Sequence, residues 1–248
     1  MTPLFEARKL SKRFGDAVVL EDVNLAFAPG RLAGIMGPNG AGKTTCFNCL
    51  TGRYRPDRGE VWFAGENITG LAPREIARRG IARSFQIMNL FDETSALENV
   101  LVALPGLRAR GFDFATDAAR ATTLVDEAAS VLARVGLRGK ELVRAKSLSY
   151  GQRRALEIAV ALSARPRLLF LDEPTAGLGA EGTARLAELV LEIRRDLTIV
   201  IIEHDMRFLF GLADEISVIH WGQVIARGTP DELRANPWVQ RSNLGELG

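Results

Sequence analysis

One stretch near the N-terminus combines glycines, a lysine and a threonine in a spacing that can hold phosphate. Residues Gly37 to Thr44 match the pattern G-x-x-x-x-G-K-[ST] in full, between an apolar run and a helical run. Gly40 and Gly42 tolerate positive φ, so backbone N–H groups can point at phosphate oxygens in front of a helix N-terminus. Lys43 adds a charge at the β- and γ-phosphates, and the Thr44 hydroxyl can bind Mg²⁺. The candidate nucleotide-binding residues are Gly37, Pro38, Asn39, Gly40, Ala41, Gly42, Lys43, Thr44 and Thr45.

A pair of carboxylates further along the chain could complete this chemistry. Asp172 and Glu173 follow four consecutive apolar residues, as in a buried strand that delivers acids to the carboxyl edge of a parallel sheet. Asp172 would hold Mg²⁺, and Glu173 would orient or deprotonate the water that attacks a γ-phosphate. An acidic pair at a strand end is often only a turn. The complete phosphate loop favours the catalytic interpretation.

The phosphate loop leaves three classes open: GTPase, small-molecule kinase and ATPase. GTPases of the Ras class read guanine with a lysine that is followed two residues later by aspartate. None of the five lysines has aspartate at that spacing: Lys9, Lys12, Lys43, Lys140 and Lys146. Guanine specificity is therefore unsupported.

Cys46 and Cys49 form a C-x-x-C pair and are the only cysteines. A zinc or redox site of this spacing needs a second ligand pair or a redox strand–helix context, and only His204 and His220 are available as histidines. The alternative places both thiols on one face of the helix after the phosphate loop. We expect them to pack in the core.

The elements that must position these residues alternate between strand and helix. The first thirty residues alternate short apolar runs with turn signals, which predicts a strand-rich start. Strands are then predicted at 32–36, 60–63, 81–85, 168–171, 198–202 and 216–220, and helices at 43–50, 74–79, 181–194 and 206–213. This order predicts an α/β fold with a mostly parallel sheet covered on both faces.

A helical segment interrupts this alternation from about 87 to 165. Apolar residues there recur with helical spacing, at Leu124, Val125, Ala128, Val131, Leu132 and Val135. We predict an inserted helical subdomain whose apolar stripe faces the core.

The composition is that of a globular protein with little net charge. Hydrophobic residues make up 47% of the chain, and 32 basic against 30 acidic side chains leave a net charge of +2. Nucleic-acid binding therefore gets no electrostatic support. The sequence has no apolar stretch near the roughly 18 residues of a membrane span and no apolar signal core at its start. We expect a chain that stays in the cytoplasm.

The stretch Leu148-Ser149-Tyr150-Gly151-Gln152 resembles the LSGGQ signature of ABC-type ATPases. It lies after the phosphate loop and about twenty residues before the acidic strand, in the order of that family. Ser149 and Gln152 also have the spacing of a capping box that opens a helix running to about residue 164. Both interpretations can hold, because a helix N-terminus with a free hydroxyl is an anion site.

The resemblance covers nearly the whole chain and implies roles for further residues. Phe14 would stack on adenine, and Gln86 would reach Mg²⁺ or water and link the core to the helical subdomain. His204 would contact the γ-phosphate. The implied catalytic residues are Glu173, His204 and Gln86. His220 matches no family position and is interpreted as structural. The implied metal ligands are Thr44, Gln86 and Asp172. In the family, the signature binds the ATP that the phosphate loop of the other subunit holds. The matching residues in this chain are Ser149, Gly151 and Gln152.

Two positions depart from the family pattern. Tyr150 replaces the first glycine of the signature, which is tolerable if this position does not need positive φ. Gly179 stands where the family has Asp or Asn, so a side chain expected at the dimer interface is missing.

Within the family, three strings are similar to the ATP-binding subunits of branched-chain amino-acid importers: the tyrosine signature followed by R-R-x-L-E-I, residues 85–91, and the tail at 228–246. The tail departs at Asn243, where tyrosine is expected. The rivals are the ATPase of a lipopolysaccharide exporter, a soluble ABC ATPase of DNA repair or translation, and a P-loop kinase.

The resemblance implies a single ABC ATPase domain over 1–248, with a core at 1–86 and 166–248, a helical subdomain at about 87–165 and an N-terminal antiparallel β subdomain. It also implies ATP and Mg²⁺ as ligands and a peripheral place on the cytoplasmic face of the inner membrane. The implied partners are integral-membrane permease subunits, a second ATPase subunit (a second copy or a close paralogue) and, indirectly, a solute-binding protein, with no nucleic acid.

Overall fold

The computed structural model describes residues 2–84, 90–108 and 118–241. The strands are β1 (Phe5–Phe14), β2 (Ala17–Phe27), β3 (Leu32–Met36), β4 (Arg58–Phe63), β5 (Glu66–Asn67), β6 (Ile81–Arg83), β7 (Leu168–Asp172), β8 (Thr198–Glu203), β9 (Glu215–His220) and β10 (Gln223–Gly228). The helices are α1 (Lys43–Leu50), α2 (Pro73–Arg78), α3 (Ala96–Leu101), α4 (Pro105–Arg108), α5 (Ala118–Arg134), α6 (Tyr150–Ser163), α7 (Ala180–Ile193), α8 (Met206–Leu212), α9 (Pro230–Arg234) and α10 (Pro237–Arg241), and a 3₁₀ turn spans Ala145–Ser147.

The larger of two sheets has the strand order β10-β9-β3-β8-β7-β6 and is parallel except for β10. Every residue of β3, β7 and β8 is buried. Continuous apolar strands of this kind form because helices or another sheet cover both faces of a parallel sheet. The predicted α/β class is confirmed.

The smaller sheet contains the N-terminal strands in the order β2-β1-β4-β5, all antiparallel. It packs on the larger sheet through an aromatic cluster, in which the Phe5 ring meets the Phe170 ring edge-on at 5.3 Å between centroids. Phe47 of α1 belongs to the same cluster, 5.9 Å from Phe170. These contacts fix the antiparallel sheet and the helix after the phosphate loop against the strand that ends in Asp172.

Between β6 and β7 the described residues form helices α3 to α6. Ala128 and Leu132 of α5 are fully buried, as their stripe predicts. Val125 was predicted in the same stripe, and this is wrong, because its side chain is 39% exposed.

The remaining sequence predictions differ from the structure mainly at element ends. The strand predicted at 81–85 ends at Arg83, and residues 85–89 lie outside the described residues. Strand β10 was not predicted, because its residues are only partly buried and do not show the apolar run of the central strands. Among the described residues, each helix is too short or too polar to span a lipid bilayer.

Candidate functional site

The phosphate loop connects the buried strand β3 to α1. Gly40 and Gly42 have φ of +80° and +96°, which glycine adopts without strain. A Cβ at Gly37 would collide with the carbonyl oxygen of Ile219, and one at Gly42 would lie 2.9 Å from the Val19 carbonyl oxygen. The loop is therefore held by its neighbours in a shape that only glycine permits at these points.

Lys43 folds back over this loop. Its Nζ donates hydrogen bonds to the carbonyl oxygens of Gly37 at 2.7 Å and Pro38 at 3.0 Å, and the residue is buried. Burial lowers the pKa of the ammonium group, while the carboxylates of Glu173, Glu203 and Asp172 oppose that shift. Lys43 is thus already at the loop, close to the acidic strand ends.

Strand register brings three sequence landmarks to one edge of the sheet. Met36, the last residue of β3, pairs with Glu203 at the end of β8, and Asp172 at the end of β7 pairs with Ile202. Parallel strands present their carboxyl ends at the same edge, where α/β proteins bind ligands. The phosphate loop, His204 and the carboxylate pair therefore meet there.

Asp172 is a buried carboxylate on this edge, and its backbone N–H donates to the Ser84 hydroxyl at 3.3 Å. Burial, followed by repulsion from Glu173, raises the pKa of Asp172 to about 6. Arg83 and Arg154 act in the opposite direction. A cation at the carboxylate would favour its ionised form.

Glu173 and His204 lie side by side. The Nδ1 atom of His204 is 3.6 Å from Oε1 of Glu173, and the imidazole is about half exposed. Glu173 has a φ of +41°, a left-handed conformation that is uncommon for a residue other than glycine. The turn after β7 thus places the carboxylate of Glu173 beside the imidazole of His204.

The signature turn forms the predicted capping box. Ser149 Oγ accepts a hydrogen bond from the Gln152 N–H at 3.3 Å, and Gln152 Oε1 accepts one from the Ser149 N–H at 3.0 Å. Tyr150 does not have positive φ, so tyrosine fits at this position. Its hydroxyl donates to the Ala176 carbonyl oxygen at 2.9 Å and joins the signature to the loop that contains Gly179.

A cavity of about 740 Å³ opens beside the signature and is bounded by α5, α6, α7 and the 177–179 loop. Ser149, Gly151 and Gln152 contribute to its lining, and among the described residues none of the phosphate loop does. Within one chain the signature therefore faces a different space from the phosphate loop.

Two further candidate residues are Phe14 and Gln86. Phe14 is 46% exposed, with its ring edge-on to Tyr54 at 5.4 Å and Lys12 Nζ 5.5 Å from its centre. Phe14 is thus only partly covered by these neighbours. Gln86 lies outside the described residues.

Cys46 and Cys49 are buried, free thiols in α1, as expected for core packing. Burial raises the pKa of the Cys49 thiol to about 11 and also raises that of Cys46. Both side chains are protonated at neutral pH, which suits packing and not metal binding.

Sequence reasoning missed Glu203, which has no exposed surface. Its carboxylate accepts hydrogen bonds from the N–H and the hydroxyl of Thr175 and from the N–H of His204. The signal for this residue was the one used for Asp172, an acid at the end of an apolar run. Glu203 thus connects the turn after β7 to the backbone of His204.

A family model for ABC transporters matches residues 20–176, which include the phosphate loop, the signature and the acidic strand end. The chain belongs to the ABC transporter family. Members of this family bind and hydrolyse ATP, so the chain is an ABC ATPase subunit.

Relatives within the ABC family resemble the chain along its whole length. The high-affinity branched-chain amino acid transport ATP-binding protein LivG of Escherichia coli K12 is 41% identical, with 98% of each chain covered. The corresponding protein BraF of Pseudomonas aeruginosa is 42% identical, also with 98% of each covered. The lipopolysaccharide export system ATP-binding protein LptB of Acidithiobacillus ferridurans is 33% identical, over 99% of this chain and 98% of that protein.

Solved ABC cassettes share the fold. The ADP conformation of MJ1267, an ATP-binding cassette of an ABC transporter, superposes with a TM-score of 0.87 at 29% identity, over 99% of this chain and 100% of that one. A structure of cbiO1 from Clostridium perfringens, part of the transporter complex cbiONQ, gives a TM-score of 0.82 at 27% identity, over 100% and 96%.

Proposed function

We propose that this ABC ATPase energises an importer of branched-chain or related amino acids. The observation that carries the proposal is the full-length identity of 41–42% to two branched-chain amino acid transport ATP-binding proteins, against 33% to the lipopolysaccharide export protein. The tyrosine-containing signature and the R-R-x-L-E-I string that follows it support the same subfamily.

The geometry of the nucleotide site supports the proposed roles of its residues. Lys43 exchanges its bonds to the loop carbonyl oxygens for bonds to phosphate oxygens, and the backbone N–H groups of 37–45 surround the phosphates. Phe14 offers its exposed ring to adenine. Glu173 orients or deprotonates the attacking water, and His204 beside it contacts the γ-phosphate.

The donor atoms at this edge fit a magnesium ion. The Thr44 hydroxyl and the Asp172 carboxylate are hard oxygen ligands, and the raised pKa of Asp172 reflects a buried carboxylate whose ionised form a cation would stabilise. When bound, Mg²⁺ would neutralise charge on the phosphate oxygens. Gln86 is proposed as a third metal ligand from the sequence alone.

A second ATPase subunit, either another copy or a paralogue, is part of the proposal. Ser149 is exposed and faces a space that the phosphate loop of the same chain does not line. A second chain would bring its own phosphate loop, with bound ATP, to Ser149 and Gly151. The free N-terminus of α6 suits the negative γ-phosphate there.

The proposed partners in the membrane are integral permease subunits, with a solute-binding protein acting on their far side. The chain would then lie on the cytoplasmic face of the inner membrane. The predicted single domain, with its core at 1–86 and 166–248 and helical insertion at about 87–165, is the unit proposed to carry ATP-driven movement to the permease.

The experiment is to rebuild the complex in lipid vesicles with the permease and solute-binding proteins encoded beside this chain, and to measure ATP hydrolysis. The proposal predicts stimulation by leucine, isoleucine or valine together with the binding protein, and no stimulation by a sugar in place of the amino acid. Stimulation by lipopolysaccharide, by DNA or by ribosomes would instead support the corresponding rival.

A further inference from the structure

Arg154 is a buried charge that the proposed mechanism does not use. It lies in the second turn of α6, two residues after the signature, and only 2% of its surface is exposed. Its guanidinium donates from Nη2 to the Glu173 carbonyl oxygen at 2.8 Å and from Nε to the Pro174 carbonyl oxygen at 3.2 Å. A buried arginine thus binds the backbone carbonyl group of Glu173, the residue proposed as the base, and that of the next residue.

The charge of Arg154 is balanced inside its own helix. Nη1 donates to Oε2 of Glu157 at 2.6 Å, and Glu157 is also buried. A buried ion pair adds little to stability when compared with a packed apolar pair of the same size, because both ions lose their hydration. A contribution to the free energy of unfolding therefore does not by itself explain why this ion pair is present.

The backbone that Arg154 holds is in a conformation that needs support. A left-handed φ at a residue other than glycine costs of order 1–3 kcal/mol and persists only where neighbours enforce it. The Glu173 N–H donates to the Ile202 carbonyl oxygen at 2.8 Å, and Glu203 holds Thr175 from the β8 side. Arg154 holds the same turn from the α6 side, at the carbonyl oxygens of Glu173 and Pro174, and the first of these also accepts the Ala176 N–H at 3.1 Å.

We propose that Arg154 is a positioning residue that fixes the backbone of Glu173, and so aims its carboxylate at the attacking water, with Glu157 as the counter-ion that makes the buried guanidinium possible. This inference rests on the proposed role of Glu173. The planar guanidinium fork reaches two consecutive carbonyl groups and a carboxylate at once, which a lysine ammonium at the same place cannot do with the same geometry.

The test uses a double variant without the two charges, which separates a positioning role of Arg154 from a role in packing alone. Arg154→Met combined with Glu157→Gln removes both charges, so that no unpaired ion stays buried. We expect this double variant to fold and to bind an ATP analogue within about threefold of wild type. We expect its kcat to fall at least tenfold at unchanged KM, because the aim of Glu173 is lost and the nucleotide contacts are kept. Arg154→Lys, which keeps the charge opposite Glu157, should fold and show a smaller loss of kcat.

A control removes an arginine–glutamate ion pair of the helical segment that does not contact the turn after β7. Arg165 donates to Glu127 at 2.6 Å on the surface, after the end of α6. Arg165→Met combined with Glu127→Gln should leave both kcat and KM unchanged.

The deciding readout is a double-mutant cycle with Glu173→Gln, measured as single-turnover hydrolysis. If Arg154 acts through the Glu173 carboxylate, its replacement costs at least tenfold with Glu173 present and less than about twofold in Glu173→Gln. Equal losses in both backgrounds, or wild-type kcat in both the charge-free variant and Arg154→Lys, would overturn the inference. If Glu173→Gln alone hydrolyses ATP at the wild-type rate, the proposed role of Glu173 fails first.

Discussion

At the scale of single residues, the site places buried charges against one another at the carboxyl edge of the sheet. Lys43, Asp172 and Glu203 are all buried, and Glu173 lies between them and the half-exposed His204. The sequence predicted the lysine and the carboxylate pair because each belongs to a local motif. Arg154 was not predicted, because the carbonyl groups that it binds lie 19 and 20 residues further along the chain and a charge inside a helical pattern usually indicates an exposed face. Glu203 carried the signal that was used for Asp172, but its bonds to Thr175, 28 residues away, depend on tertiary structure.

Replacing Lys43 by alanine tests the phosphate contact. A charge-assisted hydrogen bond to phosphate contributes about 1.5–3 kcal/mol, so Lys43→Ala should weaken binding of an ATP analogue by roughly 10- to 150-fold and abolish most hydrolysis. Calorimetric titration gives the affinity. Lys140→Ala, which removes an exposed lysine far along the chain, is the control and should bind normally. Normal binding by Lys43→Ala would refute the assignment of the loop.

The shifted pKa of Asp172 makes the stability of the folded protein depend on pH, in a direction that the shift determines. Its pKa is about 6 in the folded protein, above the value near 3.9 of an unfolded chain, so the folded state holds the proton more tightly. Its contribution to stability is complete below about pH 4 and is lost as the pH rises through 6, by up to about 3 kcal/mol. In EDTA and without nucleotide, Asp172→Asn should raise Tm at pH 7.5 and leave it unchanged at pH 4. A destabilised variant at pH 7.5 would contradict the assigned shift.

At the scale of elements, apolar runs determined how much could be predicted. Strands β3, β7 and β8 were predicted to within one residue at each end, because every one of their positions is buried. β10 was missed because edge strands contact the core on one side only. Helix α6 contacts the turn after β7 through Tyr150 and Arg154. The sequence could not predict this packing, because it depends on tertiary contacts.

Ser149 caps α6 and is also proposed to bind phosphate, and the two roles predict different results. Loss of an N-cap costs about 0.5–2 kcal/mol and lowers Tm, but it leaves hydrolysis intact below the melting transition. We expect Ser149→Ala to keep its affinity for ATP in the monomer and to lose turnover and ATP-driven dimerisation. Ser95→Ala is the matched control, because Ser95 forms the same capping box with Glu98 at the start of α3. If both variants melt earlier and both hydrolyse ATP normally, Ser149 is a cap only.

At the scale of the whole molecule, one chain provides a phosphate loop and a signature that face different spaces. In the proposed function a complete site combines the phosphate loop of one chain with the signature of a second, so blocking hydrolysis should trap the two chains together. Glu173→Gln keeps the shape of the side chain and removes the base, so hydrolysis should fall by roughly 10² or more while ATP still binds. Light scattering after gel filtration should show a dimer with ATP and a monomer with ADP. A monomer with both nucleotides, together with continuing hydrolysis, would show that Glu173 does not have this role.

The central claim is that hydrolysis at this site drives the import of a branched-chain amino acid. The most direct measurement is the uptake of labelled leucine by vesicles that contain the rebuilt complex, with ATP supplied on the side of this chain. We predict accumulation against a gradient with the wild-type chain and with Lys140→Ala, and none with Glu173→Gln, although the complex still assembles. Uptake that continues with Glu173→Gln, or a wild-type complex that hydrolyses ATP without moving leucine, isoleucine or valine, would contradict the account.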